Sequence, residues 1–179
     1  KVVAPCSVDD ASGLLAAAIR DDDPVVYLEH RGLYWSKGSI MSHVDPATIG
    51  LAAVVRPGAD VTVVAVSRMV QVAMSAAEKL AADGVDVEVV DLRTVSPIDL
   101  ETITESIRRT GRLVVAHEAV VTGGLGAELV AGVHAAAFNS LTSPAIRVGA
   151  PFTPVPASPH LERLYVPTVD DVIAAVLET

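Results

Sequence analysis

The chain has 179 residues, is 51% hydrophobic but only 3% aromatic, and carries a formal net charge of −9. This composition supports a core of Ala, Val, Leu and Ile and argues against a disordered chain, while the acidic balance argues against nucleic acid as a partner. No apolar run reaches the roughly 18 residues of a membrane span, and Cys6 stands alone, so no membrane partner, no internal disulfide and a cytoplasmic location are expected.

The first residues predict one helix and one strand. Ala11, Leu14, Leu15 and Ala18 share a helical face, Asp9 and Asp10 sit at its positive end, and Asp21-Asp22-Asp23-Pro24 stops it. Residues 25–28 read as a short buried strand. One helix and one strand cannot form a core alone, so this piece must join a sheet made by other residues, here or on another chain. Its strand edge would invite association.

The next stretch loses its period. It holds Trp35 and the turn-forming groups His43-Val-Asp-Pro46 and Pro57-Gly58. About 25 residues without periodicity are long for an internal loop and read as a linker.

Regular alternation begins at Val61. Residues 61–66, 85–90, 113–116 and 145–148 read as strands, with helices over residues 69–82, up to Thr110, over 124–138 and from Thr168 onward. Ser96-Pro97-Ile-Asp99 reads as an N-cap serine, a proline at the first helical position and an acid at the third. His117 and Glu118 read as a polar turn after the third of these strands. Pro151, Pro154, Pro156 and Pro159 mark an extended surface segment. Strands alternating with helices predict a mostly parallel sheet in a three-layer α/β/α domain.

Chemistry is sparse. Gly124-Leu-Gly126-Ala-Glu-Leu129 begins like a dinucleotide fingerprint, but Leu129 replaces the third glycine and Glu128 would repel a pyrophosphate. His117-Glu118 lacks the second histidine of a zinc-protease helix, and the remaining histidines share no ligand spacing. Ser67 lacks the glycines of a nucleophile elbow, and Cys6 has no local signature of reactivity. Asp91, Arg93, His117 and Glu118 fall at the carboxyl ends of strands and are expected on one sheet edge. There they form either an ion-pair network that fixes loops or a ligand site, with Arg93 pairing Asp91, Glu118 or a carboxylate outside the domain.

Linked motifs add a family resemblance. Val2-Val-Ala-Pro5, Gly13-Leu-Leu-x-x-Ala-Ile19, Asp22-x-Pro-Val-Val26, Leu28-Glu-His30 and Leu33-Tyr34 resemble the end of a pyrimidine-binding domain. Ser67-Arg-Met69, Asp91-Leu-Arg-Thr94, Pro97-x-Asp99, Gly111-Arg-Leu-Val-Val115, Thr122-Gly-Gly124 and Gly126-Ala-Glu128 resemble a transketolase C-terminal domain. In this order they resemble the β subunit of the decarboxylating component of 2-oxo acid dehydrogenase complexes, with His117-Glu-Ala119 closer to branched-chain than to pyruvate enzymes.

The resemblance implies residues 1–35 as the tail of a pyrimidine-binding domain, 36–59 as linker and 60–179 as a transketolase C-terminal-like domain. It implies thiamine diphosphate and magnesium in the intact α2β2 assembly, and none on this chain alone. The implied partners are the α subunit, a second β subunit and the basic peripheral-subunit-binding domain of the acyltransferase, which carries lipoamide. The implied activating glutamate and active-site histidine lie in an N-terminal half that these residues do not match. No residue here is therefore expected to be catalytic, cofactor-binding or metal-binding, and the chain alone is expected to be inactive. Asp91, Arg93, His117, Glu118, Gly123, Gly124 and Gly126 are expected to fix loops or form an interface. The alternative is a stand-alone binding module without catalysis.

Overall fold

The computed structural model describes residues 1–38 and 48–179, so the expected turn at His43-Val-Asp-Pro46 and the middle of the expected linker lie outside the described residues. In chain order the strands are β1 (Val2–Val3), β2 (Val26–Tyr27), β3 (Ala53–Arg56), β4 (Val61–Ala65), β5 (Val87–Asp91), β6 (Thr94–Ser96), β7 (Leu113–Val120) and β8 (Ile146–Ala150). The helices are α1 (Val8–Arg20), α2 (Arg68–Ala82), α3 (Leu100–Thr110), α4 (Leu125–Ala137), α5 (Pro159–Tyr165) and α6 (Val169–Glu178).

Among the described residues the main sheet has five strands in the order β3-β5-β4-β7-β8. The β5–β4, β4–β7 and β7–β8 pairs are parallel, and only the edge pair β3–β5 is antiparallel. Strand side chains alternate between two cores, as the two-residue period requires. Val63, Ala65, Val87, Val89, Val114 and Ala116 pack against α2 and α6. Val64, Val90, Leu113 and Val115 pack against α3 and α4 through Ile103, Ile107, Leu129 and Val133. The mostly parallel three-layer α/β/α domain is thus the observed fold.

Local chemistry sets the ends. Gly84 ends α2 at φ +83°, and the Val85 N–H reaches back to the Leu80 carbonyl at 3.1 Å. Thr168 and Asp171 close a reciprocal capping box on α6. Glu88, 2% exposed, accepts from Arg109 at 2.6 Å and from Thr62 at 3.1 Å, which pins α3 to the sheet.

Several local expectations are corrected. Residues 53–56 of the expected linker form β3, because they complete the free side of β5. Asp99, not Ser96, caps α3: it accepts from the Thr102 N–H at 3.0 Å and also from the Ala52 N–H at 2.9 Å. Ser96 instead ends β6, and the Ser96–Pro97 bond is cis. The expected turn at His117 and Glu118 is strand, since β7 runs on to Val120 beside β8. The extended proline segment ends in helix α5, with Pro159 in the first turn, where its missing N–H costs nothing.

The orphan N-terminal piece finds its sheet within the same chain. β1 lies between β2, parallel to it, and β6, antiparallel to it. The far edge of β2 has no further strand among the described residues.

Replacing Arg109 by Ala leaves the buried Glu88 carboxylate with the Thr62 hydroxyl as its remaining side-chain partner, and about 2 kcal/mol of stability is expected to go. Equilibrium denaturation checks this; an unchanged midpoint would show that the pair does not anchor α3.

Candidate functional site

The polar edge of the sheet is a seam between the N-terminal segment and the main domain. Just beyond the ends of β4 and β5, Ser67 and Arg93 hold positive φ values of 52° and 56° without being glycine. Such conformations cost of order 1–3 kcal/mol each and persist only where the surroundings enforce them. Here both residues grip the N-terminal segment. Ser67 Oγ donates to the Pro5 carbonyl at 3.2 Å, and Gln71 Nε2 to the Cys6 carbonyl at 3.3 Å. The Arg93 guanidinium meets Asp10 Oδ1 at 2.8 Å, while the Arg93 carbonyl accepts from the Ala4 N–H at 2.8 Å.

Asp91 lies beneath this ion pair and is fully buried. Its Oδ1 accepts from the Arg93 N–H at 3.0 Å, and its Oδ2 has no hydrogen-bond partner. Burial pushes the Asp91 carboxyl up to about 6, against the lowering pull of the Cys6 thiol and the Arg93 N–H. Burial, with the charges of Asp91 and Asp10 added, pushes the Cys6 thiol far above its ordinary range. The thiol is therefore protonated at neutral pH and is no nucleophile.

Glu118 belongs to a separate cluster. It meets Arg68 at 3.0 Å and His30 Nε2 at 2.9 Å. His30 Nδ1 accepts from the Gly32 N–H at 3.0 Å, so the other ring nitrogen carries the proton that faces Glu118. These side chains are about a third exposed, and such pairs add little stability although they fix geometry.

His117 joins neither cluster. It is 1% exposed, its Nδ1 donates to the Ala119 carbonyl at 2.9 Å, and its Nε2 is buried without a partner. Burial, and then the Arg147 charge, hold its imidazole below the ordinary value, although the Ala119 carbonyl pulls the other way. The ring occupies the space that glycines leave: a Cβ on Gly126 would lie 2.5 Å from His117 Nε2. Gly124 caps α4, and Gly123 takes φ +70° in the turn before it.

The expected single edge network is therefore three separate arrangements: Asp91 and Arg93 with Asp10 and Cys6; Glu118 with His30 and Arg68; and His117 against Gly124 and Gly126. Asp10 gave no long-range signal in sequence, because an acid three residues after Ser7 reads as an ordinary cap, and Ser7 Oγ does accept from the Asp10 N–H at 3.1 Å. Nor does any local pattern connect His30 or Arg68 with Glu118.

The seam does not fit magnesium and a diphosphate. Its donors are a protonated thiol and two carboxylates, one already paired with Arg93, whereas magnesium takes hard oxygens and keeps several waters. The N-terminus of α4 carries Glu128 in its first turn, which opposes a diphosphate there.

Comparison with known proteins gives three kinds of match. The transketolase C-terminal domain family model matches residues 50–172. The acetoin:2,6-dichlorophenolindophenol oxidoreductase subunit beta of Cupriavidus necator is 43% identical over 179 residues, covering 100% of this chain and 53% of that protein. The pyruvate dehydrogenase E1 component subunit beta of Rickettsia bellii is 44% identical over 176 residues, covering 98% and 54%. Among solved structures, a split gene transketolase described as an inactive beta4 tetramer superposes with a TM-score of 0.79 at 31% identity, covering 98% of this chain and 55% of that one. The chain spans about half the length of the curated relatives it matches.

Two outcomes follow from the His117 pocket. Its folded-state pKa lies below the unfolded value of about 6.5, so the unfolded chain takes up a proton first, and stability falls as pH drops below that value. Asp91 acts in the opposite sense, because its raised value makes the folded chain the better proton acceptor between about 4 and 6. Comparing the protein with His117→Asn isolates the histidine: the variant should lose less stability between pH 7 and pH 5, and equal losses would contradict the assignment. Gly126→Ala drives a methyl into the ring and should cost about 1–3 kcal/mol, read from thermal unfolding at neutral pH; an unchanged midpoint would show that the pocket yields.

Proposed function

The chain belongs to the transketolase C-terminal domain family, and from that premise we propose that it works as the C-terminal part of the β subunit of a 2-oxo acid dehydrogenase. Its sequence matches pyruvate dehydrogenase E1 β subunits throughout, and its fold matches a split gene transketolase. The observation that carries the reading is the extent of the match. Residues 1–49 lie outside the family model, yet identity to the β subunits runs through 98% of the chain. The same N-terminal segment is the one clamped to the domain by Ser67 and Arg93.

On this reading the chain supports assembly, and the chemistry lies elsewhere. Thiamine diphosphate and magnesium belong to the intact α2β2 assembly, and other residues than these hold them. The surface supports contact with further chains. Trp35 is 90% and Ile19 76% exposed, and Val26 in β2 and Leu28 just after it present exposed apolar side chains at a sheet edge that has no further strand among the described residues. The α subunit and a second β subunit are the proposed covers. The net charge of −9 suits the basic peripheral-subunit-binding domain of an acyltransferase, with rim charges setting mainly on-rate and salt dependence.

The substrate is proposed to be pyruvate or a branched-chain 2-oxo acid, whose acyl group passes to lipoamide. A second reading, an acetoin-oxidising assembly, has its own support in the 43% identity to the acetoin oxidoreductase β subunit.

The test is dye-coupled oxidation by the full-length gene product purified with its companion α subunit, supplied with thiamine diphosphate and magnesium. Turnover of a 2-oxo acid that needs both subunits is the expected result. Turnover of acetoin alone would select the second reading. Failure of the two subunits to associate would favour a stand-alone binding module, and 2-oxo acid decarboxylation by the 179-residue chain alone would refute the division of labour.

A further inference from the structure

We propose that Cys6, Asp10 and Asp91 form a binding site for a zinc-class divalent cation at the seam. One ligand atom from each lies within 4.8 Å of the others, and all three residues are buried. Proximity alone would not make a site. The independent sign is Asp91, which is fully buried yet has an Oδ2 that no hydrogen bond satisfies. A buried carboxylate oxygen of this kind is costly unless a cation or a proton meets it.

The spacing suits tetrahedral zinc. Bonds of about 2.3 Å to sulfur and 2.0–2.2 Å to oxygen, at a tetrahedral angle, set the two ligand atoms about 3.5 Å apart. Cys6 Sγ and Asp10 Oδ2 are 3.6 Å apart. Sulfur among the donors favours zinc over magnesium or calcium.

The charges also close. A thiolate and two carboxylates bring three negative charges, which a divalent cation and the adjacent Arg93 guanidinium neutralise. Outer-shell partners already orient the ligands: Ser7 Oγ donates to Asp10 Oδ2 at 2.7 Å, Arg93 holds Asp10 Oδ1, and the Arg93 N–H holds Asp91 Oδ1. An entry path exists, because Cys6, Asp10, Arg93, Gln71 and Met74 line an open groove. That groove can supply water as the fourth ligand. Binding breaks the Cys6 S–H bond, forms the sulfur–metal bond and releases the thiol proton to solvent, together with any proton on Asp91; no electron is transferred.

The residues of this site lie on both sides of the seam, Cys6 and Asp10 before it and Asp91 after it. A bound cation would therefore cross-link the N-terminal segment to the main domain. The competing occupant is a proton on Asp91, and the experiment separates the two.

The chain is stripped with a chelator and titrated with cobalt(II) as the spectroscopic stand-in for zinc, then with zinc, and its retained metal is measured after gel filtration. One equivalent of zinc per chain and a near-ultraviolet sulfur-to-cobalt charge-transfer band are expected. Cys6 is the only cysteine, so a band from the monomeric chain has one source. Cys6→Ser should abolish the band, and Asp91→Asn should abolish zinc retention, with folding checked by circular dichroism. If either variant fails to fold, the band in the unaltered chain still decides. No band and no retained zinc would overturn the proposal; so would binding that both folded variants keep.

Discussion

The structure depends on the ion pair between Arg93 and Asp10, made at 2.8 Å with the Asp10 side chain 5% exposed. It joins the helix of the N-terminal segment to the carboxyl edge of the main sheet. Arg93 holds φ at +56°, and Ser67, just beyond the neighbouring strand β4, holds φ at +52°. Two strained residues beside each other on a sheet edge show where the fold concentrates its constraints. The antiparallel pairing of β1 with β6 and the Ala4–Arg93 hydrogen bond extend the same joint along the backbone. Without it, α1 and two two-residue strands have no core of their own to keep them folded.

The main domain was legible because its signals are periodic. Val63 and Ala65 go to one core and Val64 to the other, so residues 61–66 announce a strand buried on both faces. Gly84, Gly111 and Thr168 mark helix ends through local chemistry alone. What sequence could not show is what neighbours impose. β1 and β6 are two and three residues long, too short for a period, and form by pairing, β1 with both β2 and β6. β3 looked like linker because its residues face an edge. Proline spacing hid α5, since Pro159 fits a helix start as well as an extended segment.

The polar residues illustrate the same limit more sharply. Asp91 ends β5 and Arg93 lies just beyond it, as expected, whereas His117 and Glu118 lie within β7; type and position did not reveal the partners of any of the four. His117 is polar by name but is packed like a core residue, in space left by Gly124 and Gly126. Glu118 turns toward His30 and Arg68, and Arg93 toward Asp10. The His30 and Asp10 contacts reach back into the N-terminal segment. The polar edge thus joins the two segments of the chain.

A double-mutant cycle between Asp10→Asn and Arg93→Gln, measured by equilibrium unfolding, reads whether the seam couples the N-terminal segment to the domain. Residues in one buried ion pair should show an interaction energy of about 1–3 kcal/mol. Additivity to within about 0.5 kcal/mol would mean that the two side chains act independently and that something else holds the segment.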